Sequence, residues 1–129
     1  MAAYSFTDYS DTVLDHFENP RNAGDLPGAD AVGRATNDAC GDTLELYLAV
    51  SDGRIDKVRF RASGCGAAIA SSSMVTVMLE GRTLAEASSI TNAQVAEALS
   101  GLPPAKLHCS VLAEEAIRAA LADYRNRHP

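Results

Sequence analysis

Tryptophan is absent, and aromatic residues make up only 5% of the 129-residue chain. A core must therefore be built from Leu, Ile, Val and Ala. No Cys-x-x-Cys occurs, and the three cysteines, Cys40, Cys65 and Cys109, stand far apart. That spacing excludes a locally read zinc ribbon or thioredoxin motif, and the odd count leaves a thiol over from any internal pairing. Residues 1–15 hold three Asp and no Lys or Arg, unlike a signal or transit peptide. The most apolar run, 67–79, is interrupted by Ser71, Ser72, Ser73 and Thr76 and is too short to cross a bilayer. Positive charge is in deficit: the net charge is −6, which argues against a phosphate-backbone partner. Phosphate-loop, dinucleotide and nucleic-acid motifs are missing, as are repeats and low-complexity tracts. These absences lead to a soluble, intracellular, single domain over 1–129 with residues 1–8 flexible, and no nucleic acid or membrane partner.

What is present is periodic. Residues 9–18 read as a helix with Ser10 as N-cap and Val13, Leu14 and Phe17 on one face, stopped at Asn19-Pro20. Residues 32–37 read as a short edge strand. In 43–50 Leu44, Leu46, Leu48 and Val50 alternate with polar positions, and in 55–62 Val58, Phe60 and Ala62 alternate with Lys57, Arg59 and Arg61. Ser51-Asp52-Gly53-Arg54 between them is a hairpin signal. Residues 66–80 read as a buried helix of small residues ended by Gly81, with Met74 and Met78 in the core. Thr83 caps a short helix, Thr91 or Asn92 another, and 109–126 form a long last helix. The fold class is α+β: a small antiparallel sheet of about three strands, helices on one face, and a long C-terminal helix.

The cysteines carry the chemistry. Cys65 lies between Gly64 and Gly66 ahead of a helix, Cys40 precedes Gly41-Asp42, and Cys109 follows His108. Soft thiolates select zinc, copper(I) or iron–sulfur centres, with Asp42 and His108 as candidate further ligands. Spacing alone leaves open the alternative that the cysteines are buried small residues, Asp42 a turn cap and His108 a packing residue. His16 reads as bonded to nearby backbone, and His128 as a solvated tail residue. A Cys–His nucleophile is disfavoured because adjacent side chains in sequence ordinarily diverge.

Four segments in this order, 9–22, Cys40-Gly41-Asp42, 64–73 and 102–110, resemble the IscU/NifU-type iron–sulfur cluster assembly scaffolds over almost the whole chain. The resemblance implies a non-enzymatic scaffold that builds a transient [2Fe-2S] cluster from iron and desulfurase-derived sulfur and passes it to acceptor apoproteins. By the same resemblance Cys40, Cys65 and Cys109 hold the cluster with Asp42 and His108, Cys109 accepts persulfide sulfur, and zinc can occupy the same ligands. Asp42 is the expected labile ligand. Leu102, Pro103, Pro104, Ala105 and Lys106 match the segment read by an Hsp70-type chaperone with its J-type co-chaperone, with Ala105 where the family usually carries Val. A cysteine desulfurase, a ferredoxin or other electron donor and a weak homodimer complete the implied partners. A bacterial cytosol is expected rather than a mitochondrial matrix. The alternative is a zinc-bound, SufU-like sulfur relay. That branch typically carries an insertion before the last cysteine and lacks the neighbouring His, whereas His108 is present here and 65–109 is compact.

Overall fold

The computed structural model describes residues 9–38 and 41–129. The expected flexible residues 1–8, and Cys40 with Ala39, lie outside the described residues.

The chain runs α1 (Asp11–Glu18), β1 (Ala31–Asn37), β2 (Asp42–Ser51), β3 (Arg54–Ser63), α2 (Gly66–Leu79), α3 (Leu84–Ser88), α4 (Asn92–Ala98), a 3-10 turn (Pro104–Lys106) and α5 (His108–Arg127). The strands form one antiparallel sheet in the order β1-β2-β3. The expected α+β architecture is what the molecule has.

Local chemistry sets the boundaries. Ser10 caps α1 by accepting from the Val13 N–H at 3.1 Å. Asp52 and Gly53 both have positive φ, 54° and 74°, as a two-residue hairpin of the primed type requires. Thr83 and Thr91 open α3 and α4 with reciprocal capping boxes to Glu86 and Gln94. Leu44, Leu46, Leu48, Val58 and Phe60 are buried on one sheet face, beneath Leu112, Ala116, Ile117 and Ala120 of α5 and Val75 and Leu79 of α2. Helix α2 buries ten residues spread around its circumference, which is why its small side chains matter: neighbours close in from several sides.

Two features tie the covering helices down. Asn22, at φ 60°, donates to Thr76 Oγ1 and Glu80 Oε1 of α2 and accepts from Arg59 of β3. At β1, the Asp123 carboxylate of α5 accepts the outward Val32 N–H at 2.8 Å. His16 is bonded differently from the expectation. Its Nδ1 meets the Ser73 hydroxyl of α2 at 2.8 Å rather than backbone, because α1 packs directly on α2 and brings a side-chain partner within reach. His128 is an exposed terminal residue as expected, stacked on Tyr124.

Candidate metal centre

Strands β2 and β3 pair Thr43 with Ser63, so the start of β2 and the end of β3 share one end of the sheet. Asp42 opens β2 there, and Cys65 follows β3 as the N-cap of α2. Helix α5 begins over the same end and supplies His108 and Cys109.

The donor atoms converge. Cys65 Sγ is 3.7 Å from Cys109 Sγ and 3.8 Å from Asp42 Oδ2. His108 Nε2 is 3.6 Å from Cys109 Sγ and 3.7 Å from Asp42 Oδ2. Two sulfurs each about 2.3 Å from one tetrahedral ion stand roughly 3.8 Å apart, and a sulfur and a nitrogen about 3.6 Å apart. These four contacts are near the edge lengths of a tetrahedral site, and the donor atoms of Asp42, His108 and Cys109 all lie within 4.8 Å of one another. Four of the five residues expected at the site are brought together; Cys40 lies outside the described residues.

One expectation is corrected. His108 and Cys109 do not diverge, although they are neighbours in sequence. Helical side chains lean toward the N-terminus, and at the first turn of α5 the long imidazole swings across the helix end to meet the sulfur. The entry to α5 also differs from a free helix start. The turn Pro104–Lys106 runs into it, and Ser110 and Val111 N–H groups already bond Leu107 O. Pro103, at φ −54° and ψ 143°, is extended, whereas Pro104 begins the 3-10 turn, so the segment 102–106 is extended only in its first part.

The electrostatics are uneven. A hydrogen bond from Cys109 pulls the Cys65 thiol down to about 5, helped by the Ala68 N–H and opposed by burial. The same bond pushes the Cys109 thiol up, reinforced by burial and by the negative charges of Cys65 and Asp42. The pair therefore shares one proton, held on Cys109. Asp42 is 4% exposed and Cys109 1%, while Cys65 is half-buried, so Cys65 is the sulfur nearer to water. Lys106 belongs to this field as well. Burial works to lower its pKa, but Cys65, Tyr9, Cys109 and Asp42 together hold its ammonium above the usual lysine value. The sequence places Lys106 only in the chaperone-like segment, and no local signal marks it as a counter-charge to the sulfurs.

Leu107, the residue before α5, and Val111 in its first turn are 46% and 41% exposed. Among the described residues no helix is long and apolar enough to cross a membrane.

Fold and site together define an α+β domain with a mixed thiolate, carboxylate and imidazole donor set at the end of a three-stranded sheet. The family model for the NifU-like N-terminal domain matches residues 8–129. The iron–sulfur cluster assembly scaffold protein IscU of Azotobacter vinelandii is 51% identical over 123 residues, covering 92% of this chain and 95% of its own. An Archaeoglobus fulgidus protein described as iron-sulfur cluster assembly scaffold protein IscU 1 is 53% identical over 116 residues, 90% of this chain and 76% of its own. Among solved structures, a putative scaffold protein for the SUF system from Fervidobacterium islandicum AW-1 superposes with a TM-score of 0.75 at 21% identity, over 92% of this chain and 99% of its own; that likeness speaks to the fold. The chain belongs to the NifU-like N-terminal domain family.

Proposed function

We propose that this protein is a scaffold on which a transient [2Fe-2S] cluster is assembled and from which it is handed to acceptor proteins. It acts by binding and release rather than by turnover. The observation that carries the reading is the meeting of donors from β2, the start of α2 and α5: Cys65 Sγ lies 3.7 Å from Cys109 Sγ and 3.8 Å from Asp42 Oδ2, and His108 Nε2 lies 3.6 Å from Cys109 Sγ and 3.7 Å from Asp42 Oδ2. The 50–51% identity to IscU scaffolds over 92% of the chain favours it over the zinc-bound relay.

In this reading Cys40, Cys65 and Cys109 grip the cargo, with Asp42 and His108 as supplementary donors. Cys109 takes up sulfur once its proton has passed to the neighbouring Cys65 thiolate, and the Cys109 thiolate so formed attacks the outer sulfur of a desulfurase persulfide. The new S–S bond forms as the old one breaks, and the desulfurase cysteine leaves as thiolate. The ammonium of Lys106 offsets the negative charge that accumulates around the sulfurs. A carboxylate binds iron of a sulfide-rich centre less firmly than a thiolate does, so Asp42 is the donor that lets go first. Zinc fits the same donors when cluster is absent. The cysteine desulfurase, an electron donor such as a ferredoxin, and acceptor apoproteins are the partners of this cycle, and the Leu102–Lys106 segment is where an Hsp70-type chaperone and its co-chaperone engage. A cytosolic setting and a single scaffold domain over 1–129 accord with it.

Anaerobic reconstitution with iron, cysteine and a cysteine desulfurase tests the reading. The expected result is visible absorbance, acid-labile sulfide, and transfer of the cluster to an apo-ferredoxin. Colourless protein that only accelerates the desulfurase would mean a sulfur relay instead. Asp42→Ala is expected to slow transfer; transfer as fast as in the parent protein removes Asp42 as the labile donor.

A further inference from the structure

Two glycines flank Cys65, and what occupies the space beside each differs. A side chain on Gly66 would meet the Phe17 ring at 3.2 Å, and Phe17 is exposed at 38%, so that ring can give way. A side chain on Gly64 would place its Cβ 2.3 Å from Asp42 Oδ1, 2.6 Å from Asp42 Cγ and 3.1 Å from Asp42 Cβ. Asp42 is buried and cannot swing into solvent. Of the nine glycines, six have nothing within 4 Å of the position a Cβ would take, and Gly33 faces helix backbone. Gly64 is the one whose vacant space is filled by a carboxylate.

We propose that Gly64 is a positioning residue for the metal centre: its missing side chain is the berth of the Asp42 carboxylate. With Oδ1 seated against the Gly64 α-carbon, Oδ2 is left facing Cys65 at 3.8 Å and His108 at 3.7 Å. Any side chain at 64 displaces the carboxylate from between the backbone and the sulfur pair. The first glycine of the Gly-Cys-Gly run therefore sets donor geometry as well as turning the chain, which it does at φ 153°. Helix α2 fixes Cys65 on one side of this glycine and β2 fixes Asp42 on the other, so the register between strand and helix N-terminus is transmitted to the donor set.

The inference rests on Asp42 being a donor, and the experiment separates the two ideas. Zinc affinity of the metal-free full chain is measured by competition with a chromophoric chelator. Cobalt(II) ligand-field bands report the donor set. The variants are Asp42→Ala, Gly64→Ala, the double variant, and Gly66→Ala. Gly64→Ala is expected to weaken zinc binding by roughly 10–100-fold, the usual cost of losing a group that orients a ligand. It should shift the cobalt bands as Asp42→Ala does, and cause no further loss of affinity once Asp42 is already Ala. Gly66→Ala keeps parental cobalt bands. Equal losses in both backgrounds, or parental affinity in Gly64→Ala, overturn the inference while leaving Asp42 a donor. Parental affinity in Asp42→Ala removes Asp42 from the donor set and the inference with it. If Gly64→Ala does not fold, far-UV circular dichroism of the Gly64→Ala/Asp42→Gly double variant decides. Backbone strain is common to both, but the clash is present only in the single variant. Recovery of the fold in the double variant supports the berth, and failure to recover overturns it.

Discussion

At the scale of single residues, the chemistry lies in which protons are held and which are given up. His16 is 6% exposed, and its pKa is lowered chiefly by burial and then by the Arg21 charge, against a raising effect of Asp15. Ser73 Oγ accepts the Arg21 N–H at 2.8 Å and is also hydrogen-bonded to His16 Nδ1 at 2.8 Å. The lowered pKa favours the neutral imidazole, which ties α1 to α2 through a hydroxyl. Below the unfolded value of about 6.5, the unfolded chain binds a proton that the native one resists, so His16 makes stability fall as pH falls. Urea midpoints are expected to drop between about pH 7.5 and pH 5.5, and His16→Gln to flatten part of that slope. A slope identical in the variant would count against this account. The cysteine pair gives a second residue-scale expectation. Cys65, with the lowered thiol and the greater exposure, should react with iodoacetamide well before Cys109 in metal-free protein, as peptide mapping can show. Replacing Cys65 by Ser removes the bond and charge that hold the Cys109 proton, and Cys109 should then react faster than it does in the parent protein.

At the scale of elements, the strength of the covering layer depends on how closely α5 lies on β1. A Cβ on Gly33 would fall 2.3 Å from Ala116 O and Ala120 N, both backbone atoms of α5. Neither can move without shifting the helix, which is also held by Asp123 on the Val32 N–H and by Arg127 on Ala29 O. Gly33→Ala should cost about 1–3 kcal/mol or more, the range of overpacked cores, read as a lower urea midpoint with unchanged slope. This close approach could not be seen in the sequence, where Val32 to Asn37 gives only a weak strand pattern and Gly33 looks like a blemish in it. The elements that were visible carry their signals locally: alternation at Leu44, Leu46 and Leu48, turn chemistry at Asp52-Gly53, and threonine caps at 83 and 91. The site divides along the same line. Asp42, Cys65, His108 and Cys109 could be picked out because their residue types and flanking motifs are distinctive. The convergence of His108 with Cys109, the role of Gly64 and the charge of Lys106 depend on how a strand end, a helix start and a 3-10 turn meet, and no short-range pattern encodes that meeting.

At the scale of the whole molecule, the donors join β2, the start of α2 and α5 at one end of the sheet, so an ion bound there ties three elements together. A ligand that binds only the native state adds about 2.7 kcal/mol at a free concentration one hundred times its dissociation constant. Zinc should therefore raise the melting temperature, and a chelator should reverse the rise. The pH dependence of this gain follows from the shared proton. Near neutrality Cys65 is already a thiolate, its thiol lying at about 5, whereas the Cys109 thiol still holds its proton. Thiols bind metal as thiolates, so the ion must expel the Cys109 proton but not one from Cys65. The cysteine pair then releases about one proton per zinc ion between roughly pH 6.5 and pH 8, and affinity rises with pH by about tenfold per unit from this source. Calorimetry in buffers of different ionisation enthalpy measures the release directly. Cys65→Ser should leave Cys109 more acidic and reduce the proton count around pH 8; zinc binding to the parent protein with no proton release would mean that the two sulfurs do not share a proton in solution.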